Sequence, residues 1–307
     1  MIPLWKGIAN AWDCDEMGHM NVRVYAEKAQ EGWGLFAAAI NMGHAFRAKS
    51  PSTLIPSEQH IRFIKEALPG FPLSMHGCVL EWDETSVLLY QEMRHGDGTP
   101  AAAFRTRLTH AEAKSGKPFG WSSSSRKALD ALIDTPPDQT APRGIDITQK
   151  PLTNEAATLE AVSACDAPQI GMGMVPPQHC DVNGRMLPSW FIGRISDSVP
   201  NLLHDWRQSI VAKEKNLKIG AAVVEYRLIF RRWPRPGSRF VAHSSLGNVS
   251  EKTQTLIHWV LDPDTGAAWC TAEAVALTFD LTKRKTIPAS KDHIQALEAF
   301  APRGLQL

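Results

Sequence analysis

The chain has 307 residues, and its 33 basic side chains (Lys and Arg) nearly balance its 32 acidic ones, for a net charge of +1. A protein that binds nucleic acid through a general basic surface carries an excess of positive charge, so we expect no nucleic-acid partner. The five cysteines are odd in number and form no C-x-x-C pair, which argues against a disulfide framework and a zinc site and predicts no bound metal.

The N-terminus, Met1 to Gly7, lacks the basic head and apolar run of a leader peptide. No apolar stretch of the sequence approaches the roughly 18 residues that span a membrane. We therefore expect a cytoplasmic protein that does not bind a membrane.

The densest group of reactive side chains lies between Asp13 and Tyr25, in the sequence D-C-D-E-M-G-H-M-N-V-R-V-Y. Gly18 permits a tight turn there, and Asn21 is a good N-terminal cap for a helix. Apolar residues recur after Asn21 at three- and four-residue steps. This spacing predicts a helix with one buried face that ends near Gly43.

A similar stretch recurs later in the chain. The group Cys14-Asp15, Gly18 and Met20 returns 166 residues later as Cys180-Asp181, Gly184 and Met186. Further matches follow at offsets of 167 to 169, as expected when one fold is duplicated in tandem and single residues are inserted in turns. Each copy has a first strand, the acidic loop, a long helix and four further strands, which predicts an α+β fold.

Between the copies the chain is rich in Pro, Ser and other polar residues, as a linker is. The predicted organisation is an N-terminal domain over 1–121, a linker over 122–167 and a C-terminal domain over 168–307. Short helices are predicted in the linker near 126–133 and 154–163, and a disordered tether is the alternative. Glu58 and its counterpart Glu225 fall within strands, where a carboxylate is unusual. We favour exposed positions for both, and the alternative is that they face the acidic loops across an interface.

The first loop fits the pattern D-x-D-x-x-G-H-x-N-x-x-x-Y at Asp13, Asp15, Gly18, His19, Asn21 and Tyr25. With this pattern and the later run I-R-F-I-K-E-A-L-P-G, the chain resembles the hotdog-fold thioesterases, in particular 4-hydroxybenzoyl-CoA thioesterase and the acyl-ACP thioesterases. The resemblance implies a double hotdog: two tandem hotdog folds, each an antiparallel sheet wrapped around a long central helix. It also implies an acyl thioesterase of fatty acid metabolism, acting on acyl-CoA or acyl-ACP, and a homo-oligomer of double hotdogs.

The resemblance places the catalytic carboxylate on Asp15, either as nucleophile or as general base for water. It makes His19 an acid/base and Asn21 a group that positions the carbonyl or the water. Backbone amides at a helix start lack intrahelical acceptors, so those around Gly18 and Met20 are expected to bind the oxyanion. The structural alternatives are helix capping by Asp15 or Asn21 and a surface turn position for His19. We expect Asp13, Cys14 and Tyr25 to serve structure.

The second copy keeps the aspartate, as Asp181, but loses most of the other polar groups of the pattern. Arg185 replaces His19, and Leu187 replaces Asn21. We therefore expect one functional site per chain, on the first loop, with the second copy supplying a wall of the pocket. The alternative is a second site at Asp181.

Coenzyme A carries phosphates, so we expect cations near the pocket mouth. The best candidates are Arg231, Arg232 and Arg235, although such a cluster is often only a solvated surface. An acyl carrier protein would use a broader basic rim, and the sequence does not separate the two carriers. No cofactor is expected, since coenzyme A enters only as part of the substrate.

Two other functions stay open. A hotdog-fold hydratase or dehydratase would carry a D-x-N-x-x-H arrangement; Asp181 and Asn183 begin one, but Met186 stands where the histidine belongs. A non-catalytic acyl-CoA-binding protein would use the same groove without turnover.

Overall fold

The computed structural model describes residues 1–213, 219–280, 282–283, 285–300 and 302–307. The chain forms two compact units, one of Met1–Pro142 with Cys180–Ser189 and one of Arg143–His179 with Trp190–Leu307. The predicted linker is therefore divided between the units at Pro142. The second acidic loop, which carries Asp181, belongs to the first unit, and nothing in its sequence predicts this placement.

The first unit contains one antiparallel sheet. Its strands are β1 (Ile2–Ile8), β2 (Ser52–Phe63), β3 (Pro72–Trp82), β4 (Ser86–His95) and β5 (Pro100–Glu112). They lie in the order β1-β3-β4-β5-β2, with every neighbouring pair antiparallel.

Helix α1 (Val22–Ala39) begins after Asn21, whose side chain accepts a hydrogen bond from the Arg23 amide. Its apolar face is buried, including Trp33 and Phe36. Trp33 donates through Nε1 to Gln91 Oε1 at 3.0 Å, and Gln91 Nε2 donates to the carbonyl of Ala29 at 2.9 Å. Two side-chain hydrogen bonds thus fix α1 onto β4.

The prediction that α1 ends near Gly43 is wrong by a few residues. The helix ends at Ala39, and Asn41 adopts a left-handed conformation with φ of 61°. Asparagine tolerates this conformation because its short polar side chain can bond locally to the backbone, so no glycine is needed at this turn.

The segment between the copies is folded, and each unit contains a part of it. It contains helices α2 (Ser123–Ala131) and α3 (Leu159–Ala164), close to the predicted helical pieces. In the first unit, Arg105 donates to the carbonyl of Thr140 at 2.9 Å. In the second unit, buried Glu225 accepts the amides of Arg143 and Gly144 at 3.0 and 2.6 Å.

The disordered-tether alternative therefore does not describe this segment, and the expectation of an exposed Glu225 is wrong. The strand carboxylate is buried because two backbone amides of the connecting segment satisfy it.

The second unit repeats the arrangement of the first. Its elements are β6 (Gln169–Met174), α4 (Pro188–Lys213), β7 (Ile219–Phe230), β8 (Arg239–Val249), β9 (Gln254–Leu261), β10 (Ala268–Asp280), β11 (Lys285–Thr286) and α5 (Lys291–Phe300). The strand order is β7-β10-β9-β8-β6, all antiparallel, with β11 on β10. The sequence pattern places the end of β10 at Leu281, which lies outside the described residues.

The core of the second unit includes one buried histidine on β9. His258 is 1% exposed and pairs in register with Ser244 of β8, whose Oγ lies 2.9 Å from His258 Nδ1. Burial lowers the pKa of His258 to about 3. His258 follows Gln91 by 167 residues, so a neutral imidazole replaces the amide that anchors α1 in the first unit.

A search of the described helices finds none that is both long enough and apolar enough to cross a membrane.

Candidate active site

The first acidic loop is a tight turn closed by its own backbone. The Asp15 amide donates to the carbonyl of His19 at 3.1 Å, and the Gly18 amide donates to the carbonyl of Asp15 at 2.9 Å. Gly18 has a φ of 77°, a left-handed conformation that glycine adopts without a steric penalty. This turn brings Asp15, His19 and Asn21 to the N-terminus of α1.

The Asp15 carboxylate is held at both oxygens. Oδ1 accepts the amide of Met17 at 3.0 Å, and Oδ2 accepts Nδ2 of Asn21 at 3.4 Å. The side chain is 19% exposed. Burial raises the pKa of Asp15 above its ordinary value, while His19 and the Met17 amide act against this shift. The result is an oriented carboxylate with a single preferred position and a raised proton affinity.

His19 stands between two carboxylates. Its Nε2 lies 4.0 Å from Asp15 Oδ1, and its Nδ1 lies 3.1 Å from Oε1 of Glu66. Glu66 follows β2 within the run I-R-F-I-K-E-A-L-P-G, which served above only as a marker of the fold. Sequence reasoning therefore missed a member of the site. The signal that could have identified Glu66 was its charge, directly after the largely buried strand β2.

Asn21 fills both of the roles that the sequence left open. Its Oδ1 caps α1 by accepting the amide of Arg23 at 2.9 Å, and its Nδ2 donates to Asp15. Because one amide has a donor end and an acceptor end, capping the helix and holding the carboxylate are compatible.

The two amides predicted as oxyanion donors are engaged within the chain. Gly18 donates to Asp15 as described, and Met20 donates to the carbonyl of Ala67 at 2.9 Å. The structure therefore differs from this prediction, because the turn and the segment after β2 use both donors. Val22 is the first residue of α1, and a helix offers its first amide no intrahelical acceptor.

Three further residues of the loop region have structural contacts. Asp13 Oδ2 accepts the amide and Nδ2 of Asn10 at 3.1 and 3.0 Å. Tyr25 is 4% exposed, and its hydroxyl accepts the amide of Ala67 at 2.9 Å. Cys14 donates through Sγ to the carbonyl of Asn10 at 3.3 Å, and burial raises the pKa of its thiol. A raised thiol pKa disfavours the reactive thiolate.

The second acidic loop has the same backbone turn with different chemistry. The Asp181 amide donates to the carbonyl of Arg185 at 2.8 Å, and Gly184 donates back to Asp181 at 2.9 Å. Asp181 Oδ1 accepts the amides of Asn183 and Arg185, both at 2.8 Å. Here the carboxylate is bonded into its own turn.

The side chain of Arg185, which replaces His19, donates to a backbone carbonyl of the first unit. It is 5% exposed, and its Nη2 donates to the carbonyl of Ala113 at 2.6 Å. Ala113 follows β5 in the first copy, so the side chain that replaces the histidine attaches the second loop to the first unit.

The three arginines predicted to bind phosphate differ in their contacts and exposure. Arg231 donates to Thr271 Oγ1 at 2.9 Å and to the carbonyl of Leu152 at 2.7 Å. Its guanidinium therefore joins the connecting segment to β10, and burial lowers its pKa. Arg232 and Arg235 are exposed. Among the described residues, no three His, Cys, Asp or Glu side chains are grouped to hold a metal ion.

Solved structures with the same fold cover nearly the whole chain. An acyl-ACP thioesterase from Bacteroides thetaiotaomicron superposes with a TM-score of 0.61 at 14% identity, covering 89% of this chain and 96% of its own. The 12:0-ACP thioesterase from Umbellularia californica gives a TM-score of 0.66 at 11% identity, covering 89% and 93%. No curated protein sequence matches significantly. At these identities the likeness shows the tandem fold and leaves the reaction open.

The family model of the thioesterase-like superfamily matches the chain twice, over residues 9–129 and 175–297. The two matches begin just before the first and the second acidic loop, in agreement with the internal repeat. The chain is therefore a tandem member of the thioesterase-like superfamily.

Proposed function

We propose that the protein hydrolyses an acyl thioester to a free acid and a thiol at the first acidic loop. The observation that carries the proposal is the arrangement of Asp15, which is oriented by Met17 and Asn21 and faced by His19 at the start of α1. A half-buried, oriented carboxylate with a raised pKa is suited to accepting a proton or attacking a carbonyl.

Two routes are consistent with this geometry. As a general base, Asp15 takes a proton from water while the water oxygen bonds to the acyl carbon, and the C–S bond then breaks to release the thiolate. As a nucleophile, the carboxylate displaces the thiolate to give an acyl-aspartyl anhydride, which water opens to the acid and Asp15. In the general-base route the proton that Asp15 took from water passes to the thiolate, directly or through His19. In the nucleophilic route the proton that the attacking water releases passes to the thiolate through His19.

The negative oxygen that develops on the substrate requires a donor. Because Gly18 and Met20 are engaged elsewhere, we assign this role to the amide of Val22. The positive end of the α1 dipole adds to the stabilisation.

The second loop is proposed to have a structural role. Asp181 is bonded within its own turn, and Arg185, which replaces the proposed acid/base partner His19, donates to a carbonyl of the first unit. One site per chain is the arrangement we propose.

The finer assignments belong to the same proposal. The carrier is coenzyme A or an acyl carrier protein, and the exposed Arg232 and Arg235 are the remaining candidates for a phosphate contact. We further propose that each sheet encloses its long helix, that double hotdogs form a homo-oligomer, and that the enzyme acts in cytoplasmic fatty acid metabolism without a cofactor.

The test is the release of free thiol from a panel of acyl-CoA and acyl-ACP thioesters by the purified chain. We expect turnover that Asp15→Asn abolishes with the fold unchanged by circular dichroism. Hydration of an enoyl thioester without thiol release would instead indicate a hydratase. Saturable acyl-CoA binding without turnover would indicate a binding protein.

A further inference from the structure

Strand β6 forms one edge of the sheet of the second unit. It pairs with β8 on one side, and no strand among the described residues pairs with its other side. Val175, directly after β6, donates its amide to the Ser238 carbonyl at 2.9 Å and accepts the Gly237 amide at 2.8 Å. Because the direction of the backbone groups alternates along a strand, Met172 and Met174 direct their amides and carbonyls to the open side of β6.

The first half of β6 is closed by its own structure. A β-bulge lies between Gln169 and Gly171, and Asn201 Nδ2 of α4 donates to the Ile170 carbonyl at 2.7 Å. Bulges and covering groups are two of the ways in which proteins block an open sheet edge. The half that begins at Met172 is therefore the part of β6 that is available for pairing.

The open half of β6 is exposed and uncharged. Met172 is 73% exposed and Met174 is 53% exposed, and Gly173 between them has no side chain to hinder the approach of another backbone. The whole strand contains no charged residue and no proline. It thus lacks two residue types that commonly protect an edge strand.

The corresponding edge of the first unit is protected. Strand β1 carries Pro3 and Lys6, which stand 166 residues before Gln169 and Met172. Proline has no amide to donate, and a lysine on an edge would lose hydration if another strand covered it. The chain therefore protects one of two equivalent edges and leaves the other open to pairing.

The open half of β6 is complementary to itself, which favours a second copy of the chain as its partner. If a two-fold axis passes at Gly173, Met172 of one copy lies opposite the partner's Met174. Residues paired in this way exchange both of their backbone hydrogen bonds, so the two symmetric pairs engage every open amide and carbonyl of this half. An axis at Met172 would instead require Ile170, whose carbonyl already accepts a hydrogen bond from Asn201.

The same register brings the methionine side chains of both copies together on one face. Met172 and Met174 lie two residues apart and so share a face of the strand. Met172 pairs in register with Val241 of β8, which is 8% exposed and belongs to the buried cluster that includes Trp259. The methionines would extend this apolar layer across the axis, and their flexible side chains can adapt to one another.

We propose that β6 pairs antiparallel with β6 of a second copy of the chain, about a two-fold axis at Gly173. The proposal assigns a surface to the homo-oligomer proposed above, and it does not depend on thioester hydrolysis. The contact between two short strand segments buries less than the roughly 800 Å² per partner of a stable interface. We therefore expect a reversible dimer with a Kd of about 10 to 500 µM.

Sedimentation of the purified chain from about 5 to 500 µM measures this dimer. Met172→Lys places a charge in the joined edge and should weaken dimerisation at least about tenfold. Leu35→Lys, at an α1 residue that is 56% exposed, is the matched control and should leave the Kd unchanged. Thiol release by Met172→Lys should equal that of wild type, so a failure of this proposal and a failure of the proposed activity give different results.

A pair of opposite charges tests the register. Met172→Lys combined with Met174→Glu places each lysine opposite the partner's glutamate and should restore the Kd to within about threefold of wild type. A double variant that dimerises no better than Met172→Lys would overturn the axis at Gly173. A monomer at every concentration, which would leave the edge to a strand of another protein, or an equal Kd in wild type and Met172→Lys would overturn the proposal as a whole.

Discussion

Oε1 of Glu66 lies 3.1 Å from Nδ1 of His19, while the opposite ring nitrogen of His19 faces Asp15 at 4.0 Å. A carboxylate on one ring nitrogen fixes the tautomer and orientation of the other. We therefore predict that Glu66 is a positioning residue that acts on Asp15 through His19.

Glu66→Gln should lower kcat about ten- to a hundredfold with little change in KM, because a neutral amide replaces the charged acceptor of His19. The pH profile should also change in shape, which a purely structural role would not cause. Glu27→Gln, the same change at an α1 residue that pairs with Arg23, is the control and should retain wild-type kcat. Equal kcat in wild type and Glu66→Gln would remove Glu66 from the site.

The acid limb of kcat/KM should reflect the raised pKa of Asp15. Asp15 must be deprotonated to act as base or nucleophile, so activity should rise with pH through a midpoint above the ordinary aspartate value of about 3.9. Asn21→Ser keeps a good helix cap but removes the Nδ2 donor to Asp15 Oδ2. That hydrogen bond stabilises the charged form of Asp15. In that variant the limb should move to higher pH. A limb at or below pH 4 in the wild type would contradict the assignment.

We expect Arg185 to contribute to the free energy of unfolding and to have little effect on turnover. Arg185→Met removes the buried donor to Ala113, and we expect the free energy of unfolding to fall by about 1.5 to 3 kcal/mol. Turnover per folded molecule should stay near the wild-type value. Chemical denaturation with an activity assay measures both, and Lys283→Met, at an exposed position, should change stability by less than about 0.5 kcal/mol. Loss of turnover at full stability would instead place Arg185 in the catalytic machinery.

His258 should make the protein sensitive to mild acid. Its folded-state pKa is lowered, so the unfolded chain binds the proton more readily, and stability present above about pH 6.5 is lost as the pH falls. The contribution is at most about 1.4 kcal/mol for each pH unit below 6.5. His258→Gln introduces the amide found at Gln91 and should flatten this slope in unfolding titrations at pH 7, 6 and 5. An unchanged slope would show that other groups control acid stability.

Short-range signals in the sequence predicted much of the fold and the turn that carries the candidate site. The turn at Gly18, the cap at Asn21 and the repeated acidic loop depend on residues within a few positions of one another. The predicted start of the helix after Asn21 matches α1 (Val22–Ala39) for the same reason, since capping and helix periodicity are local.

The features that the sequence did not predict depend on contacts between distant residues. Glu66 meets His19 only because the end of β2 lies beside the loop, and the same packing occupies the Met20 amide through Ala67. Glu225 is buried because the connecting segment supplies two amides to it. No local pattern indicates which carbonyl or amide a folded chain brings to such a group.

The central claim is that only the first of two similar loops performs the reaction, and matched substitutions in the two loops test it most directly. The measurement is kcat/KM for thiol release from the best acyl-CoA or acyl-ACP substrate in wild type, Asp15→Asn and Asp181→Asn, with folding verified for each. We predict that Asp15→Asn loses at least about a thousandfold, while Asp181→Asn stays within about threefold of wild type. Wild-type activity in Asp15→Asn with loss of activity in Asp181→Asn would contradict the account.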